Sequence, residues 1–167
     1  KAELKNPEAT LHTNIGKRYK EGDVVTISVS PKYGYKLTEF KVNGVVSTAR
    51  TIDHTIVAGK NTISVTYERE KLYKVSVSSA DIKLGSFTLT NSNDNFYTET
   101  RNKENIITNA ECWYTEGTEV TVNGDASINY MLDYWSDGTN KLSETDPYIF
   151  KMGTENRTII ANFKLGY

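Results

Sequence analysis

The chain has 167 residues, with 20 basic residues against 21 acidic ones and a pI near 6.2, so it has no cationic excess to neutralise phosphates, and nucleic acid is set aside as a partner. Its single cysteine, Cys112, excludes an intramolecular disulfide; with His12 and His54 it leaves fewer N and S ligands than the roughly four a structural zinc site requires. No run approaches the ~20 apolar residues that a membrane-spanning helix needs, so this segment is not expected to insert into a membrane, yet a hydrophobic fraction of 37% is enough for a core.

In chain order, residues 9–14 carry a weak strand pattern. Val25, Ile27 and Val29 then alternate with polar neighbours, the period-two mark of a strand with one buried face. Gly34 and Asn43-Gly44 follow as turns; Asn-Gly accepts the positive φ angles of a type I′ hairpin. Ile63, Val65 and Tyr67 form a closing strand, and a short charged stretch at 68–72 predicts a boundary, with one module over 1–69 and another over 70–167. The basic residues near it (Arg69, Lys71 and Lys74) alternate with Glu68 and Glu70, as Lys17, Arg18 and Lys20 adjoin Glu21, which reads as solvated surface.

Residues 73–79 open the second module, with Tyr73, Val75 and Val77 on one face; their expected counterpart in the first is 9–14. An insertion of about twenty residues, over 85–111, reads as a long loop, and loops of that length are commonly functional. Within it, 99–109 is the one stretch with any helical reading. Beyond it, Val120 and Val122, then Tyr130 to Trp135, then Ile159, Ala161 and Phe163 read as strands, broken by Gly117, Asp137-Gly138 and Gly153.

These segments repeat. Residues 19–27 overlay 114–122 at one constant offset, matching Tyr, Glu, Gly, Val and Thr, and Tyr35 and Leu37 fall on Tyr130 and Leu132. A one-residue gap then sets Phe40 on Tyr134 and Asn43-Gly44 on Asp137-Gly138, and 61–67 overlay 157–163. Two diverged copies of one small β-rich module stand in tandem.

The shared pattern is Glu-Gly-x-x-Val-Thr, a Gly-Tyr or Asn-Tyr turn, an aromatic before Trp-Ser-Asp-Gly, and a closing Thr-Ile-x-Ala-Asn-Phe. It resembles the divergent internalin B-repeat modules of bacterial surface proteins. The second copy carries it through Glu116-Gly117, Tyr130, Tyr134-Trp135-Ser136-Asp137-Gly138 and 158–163. The first is more remote, with Lys41 where Trp135 stands and Val42-Asn43-Gly44 for Ser-Asp-Gly. The resemblance implies a mainly β, β-grasp-like module with little or no helix, export to the cell surface or medium, and no shared catalytic residues.

The chemistry-bearing residues agree with a non-enzyme that needs no cofactor. Nothing around Cys112 resembles a nucleophile motif that would pair it with His12 or His54. The carboxylate pairs Asp133 with Asp137 and Glu116 with Glu119 sit on turns or strands of a module too small for a deep cleft. Asn91, Asn93, Asp94, Asn95 and Glu99 loosely resemble a calcium loop without its turn-forming glycine, so an ordinary polar loop is the expected reading. Asn156-Arg157-Thr158 is a formal glycosylation sequon to which no role is assigned.

Alternation sets Tyr134 and Trp135 on opposite faces, and likewise Trp113 and Tyr114, so one ring of each pair is expected near the surface. The expected function is a monomeric spacer, stalk or adhesive arm that contacts a host or matrix protein or a glycan. Its binding candidates are Asn93, Asp94, Phe96, Tyr97, Trp113 and Trp135. The alternative is a carbohydrate-binding module of a secreted glycan-degrading enzyme, which requires two or three exposed, coplanar aromatics, for which Tyr97, Trp113 and Trp135 are the candidates.

Overall fold

The computed structural model describes residues 9–13 (as backbone), 19–90, 92 and 96–166. Their regular elements are all strands, and the chain divides into two compact units, Lys1–Glu70 and Lys71–Tyr167.

The first unit contains β1 (Ala9–Thr13), β2 (Val24–Pro31), β3 (Tyr35–Val42), β4 (Val45–Ser47), β5 (Thr51–Thr55) and β6 (Ile63–Arg69). They form two three-stranded sheets, ordered β1-β2-β5 and β4-β3-β6. The period-two residues decide what lies between the sheets: Val25, Ile27 and Val29 from one meet Phe40, Val42, Ile63 and Val65 from the other in a single core. Each such side chain is worth about 1.5–3 kcal/mol when fully buried. Asn43 (φ 48°) and Gly44 (φ 79°) join Val42 to its partner Val45, the two-residue type I′ hairpin expected of Asn-Gly.

The second unit contains β7 (Leu72–Ser79), β8 (Gly85–Thr90), β9 (Tyr97–Arg101), β10 (Ile107–Thr115), β11 (Glu119–Ala126), β12 (Tyr130–Ser136), β13 (Lys141–Ser143), β14 (Tyr148–Lys151) and β15 (Arg157–Leu165). A six-stranded sheet, β13-β12-β15-β7-β10-β9, faces a three-stranded one, β14-β11-β8. β7 and β15 are parallel; the other pairs are antiparallel. Val75, Val77, Cys112, Tyr114, Trp135, Ile159 and Ala161 from the large sheet meet Phe87, Leu89, Val120 and Val122 from the small one.

Strand register aligns the two copies more closely than the residue matches do. β3 and β6 slip by one residue between Leu37 and Glu39, and β12 and β15 slip between Leu132 and Tyr134. A bulge therefore occupies the same place in both, and it removes the need for a gap. Phe40, opposite Val65, corresponds to Trp135, opposite Ala161, and not to Tyr134. The larger ring faces the smaller partner, which conserves core volume. The two-residue turn also does not recur: Asp137-Gly138 belongs to a four-residue connection between Ser136 and Lys141.

Three further expectations are corrected. β1 pairs with β2 as β8 pairs with β11, so residues 9–13 correspond to β8 and not to the opening strand β7. β8 lies 76 residues beyond β1 (Leu11 to Phe87), whereas β11 lies 95 beyond β2 (Val29 to Gly124), so 19 residues are inserted between them. Instead of forming one long loop, 85–111 supplies strand β8 and the β9–β10 hairpin, which widens the large sheet. Nor is 99–109 helical. Asn102 Oδ1 accepts hydrogen bonds from the backbone N–H groups of Glu104 and Ile106 (both 3.0 Å), and Asn105 takes a φ of 62°, which closes a turn there.

Candidate functional site

β10 sends Ala110, Cys112 and Tyr114 into the core and Glu111 and Trp113 outward. Of the described candidate binding residues, Trp113 is the one that lies well exposed on the outer face of the large sheet, at 39%. Lys74 Nζ sits 5.9 Å from its ring centroid and 3.7 Å from Glu111. Cys112, between Val75 and Tyr97 in register, is a core thiol with no exposure.

Trp135 is corrected from candidate binder to core residue. It is wholly buried, its Nε1 donates to the Thr145 carbonyl (2.8 Å), and its ring stacks with Tyr148 at 6.5 Å. The indole N–H, costly to bury alone, is satisfied by the turn before β14. Tyr97 pairs with Cys112 and so packs against the core side of its sheet, the opposite face from Trp113. Phe96 is half-buried, and its carbonyl accepts from Trp113 N (3.3 Å). Asn93 and Asp94, with Asn91 and Asn95 of the calcium reading, lie outside the described residues. Tyr97, Trp113 and Trp135 therefore do not form a coplanar platform, because alternation sends two of them inward and one outward.

The Tyr97 hydroxyl donates to Glu99 Oε2 (3.2 Å); partial burial, and then the neighbouring carboxylate, push its pKa from 10.0 up to about 12. Since the folded value exceeds the unfolded one, the stabilisation is complete below pH 10 and is lost as pH rises through 12. A difference titration of phenolate absorbance between wild type and Tyr97→Phe is expected to show one late-ionising tyrosine. A difference curve centred near the ordinary value would contradict this.

The same alternation that buries Trp135 turns Tyr134 and Ser136 outward, beside Ile160 and Asn162 of β15. With Ser78 of β7 they floor a groove of about 660 Å³, walled by residues 138–141. The Asp137 carboxylate builds the wall by accepting from the backbone N–H groups of Thr139 (2.8 Å) and Asn140 (2.6 Å). The Asn140 and Thr139 bonds hold its pKa below the ordinary range. Lys141 is ion-paired with Glu144, and its Nζ lies 5.5 Å from the Tyr134 ring centroid. Asn162 Nδ2 is fixed by the Ile160 carbonyl (3.2 Å), the Tyr134 carbonyl (3.3 Å) and Ser136 Oγ (3.1 Å).

Sequence reasoning missed Asn140, Lys141 and Asn162 as neighbours of one groove. The usable signal was the difference between the two copies at outward strand positions, which the misplaced gap hid. Among the described residues, no three of His, Cys, Asp and Glu gather closely enough to hold a metal ion.

A family model described as the divergent InlB B-repeat domain matches residues 7–71 and 97–166. The chain belongs to this family. The two matches fall one in each unit, as expected for two tandem InlB B-repeats, and the second runs from β9 to β15, leaving β7 and β8 outside it. No curated protein sequence matches the chain. Among solved structures, the major pilin protein T-13 from Streptococcus pyogenes serotype GAS131465 is similar at 9% identity and a TM-score of 0.42, over 85% of this chain and 66% of that one. So loose a likeness has no bearing on function.

Proposed function

We infer that this pair of InlB B-repeats is a non-catalytic segment of an exported bacterial surface protein, acting as a spacer or adhesive arm. What supports this most is the separation of the cores: each unit buries its own apolar set, so repeats can be added in series without redesigning a shared interior. A carbohydrate module built on Tyr97, Trp113 and Trp135 is not retained, since those rings do not share a face.

Antibodies raised against the chain are expected to label intact, unpermeabilised cells of its source bacterium. Labelling only after permeabilisation would contradict surface display.

A further inference from the structure

The outer faces of the two copies differ at matched positions. In the first unit, the register pairs Glu39–Thr66 and Lys41–Ser64 present a charged surface, with Glu39 and Lys41 ion-paired at 3.2 Å. In the second, the same pairs are Tyr134–Asn162 and Ser136–Ile160, with no formal charge. The strands and the bulge are shared, so the fold does not demand this exchange. The connection after β12 is also longer than the Asn43-Gly44 turn, and the extra residues raise a wall beside the altered floor.

The chemistry of the groove narrows what fits it. Asn162 spends its amide nitrogen on the protein, which leaves Oδ1 as a ligand acceptor, while Ser136 accepts from Asn162 and keeps its own O–H to donate. Tyr134 adds a half-buried ring face. The wall's cation, Lys141, is ion-paired with Glu144, and its Nζ lies 5.5 Å from the centroid of that ring. An anionic ligand would have to compete with Glu144 for Lys141, and an apolar peptide would leave the amide and hydroxyl groups unpaired. A neutral sugar chain offers alternating hydroxyls and a C–H face for the ring, and so matches both the charge and the hydrogen-bonding groups.

We propose that the groove formed by Tyr134, Ser136, Asn162 and the 138–141 wall binds a neutral oligosaccharide. The site rests on this groove alone and not on where the chain is displayed, so its failure would leave the surface reading intact. The test titrates the full chain with chitotetraose, cellotetraose, mannotetraose and lacto-N-tetraose while amide chemical shifts are recorded. At least one sugar should give saturable shifts at Ser78, Tyr134, Ser136, Asn140 and Asn162. Tyr134→Ala should weaken that binding by about tenfold with the remaining spectrum unchanged, and Glu39→Ala, at the matched position of the first unit, should not alter it. Absence of saturable shifts with all four sugars, shifts confined to other residues, or undiminished affinity in folded Tyr134→Ala would overturn the proposal.

Discussion

Trp135→Ala is expected to destabilise the second unit by about 3–5 kcal/mol, the range found when a large buried aromatic is truncated. Two features place it at the upper end. The ring is wholly buried and it stacks on Tyr148, and its removal also takes away the hydrogen bond from the indole N–H to the Thr145 carbonyl. Ala161, its register partner, is too small to fill the space. Trp135→Phe, which restores the residue type found at Phe40, should recover part of the loss but not the hydrogen bond. For a domain of this size the melting temperature moves by roughly 4–8 °C per kcal/mol, so calorimetry reads the effect directly. A shift of only a few degrees for Trp135→Ala would refute its placement in the core.

Asn61→Ala should destabilise the first unit by about 2–4 kcal/mol, through lost hydrogen bonds and not through lost volume. Asn61 is only 5% exposed and closes the loop between β5 and β6. Its Oδ1 accepts from Val57 N (3.1 Å), Asn43 Nδ2 (3.3 Å) and His54 Nε2 (2.9 Å), and its Nδ2 donates to the Val57 carbonyl (2.9 Å). Alanine would leave both backbone groups of Val57 without these partners. Asn43 braces the other side, its Oδ1 accepting from Thr62 N (2.7 Å). Register places His54 and Asn61 where the second unit has Phe150 and Arg157, whose guanidinium stacks 4.4 Å from the ring. One copy uses a cation–π contact at the site where the other uses an amide–imidazole bond. Chemical denaturation of Asn61→Ala with an unchanged midpoint would show that the loop does not depend on this side chain.

Much of the fold was legible because β structure writes itself in period two. Val25, Ile27 and Val29, and again Ile159 and Ala161, declare their buried face through alternation alone. The tandem repeat followed from the same residues. What failed was register. A bulge skips one residue without leaving a compositional mark, so the alignment took a gap and set Phe40 on Tyr134 rather than Trp135. The β9–β10 hairpin was obscured because much of it is exposed and polar, and only Ala110, Cys112 and Tyr114 carry the alternation.

The candidate site was less legible. Alternation correctly separated Trp113 from Tyr114 and Tyr134 from Trp135, but it cannot say which ring of each pair faces the core. That depends on which strand lies opposite: Trp135 faces Ala161 and the turn before β14, and both have room for an indole. The groove depends on β12 lying beside β15, residues distant in sequence, and on a four-residue connection whose shape is set by the Asp137 carboxylate.

The most direct test of two modules with separate cores is native-state amide hydrogen exchange on the intact chain, wild type against Trp135→Ala. Protection at Val75, Val122 and Ala161 should fall sharply in the variant, while Val25, Ile27 and Val65 exchange as in wild type. A matching loss of protection in both sets would mean that the chain folds as one cooperative body and would contradict the two-module account.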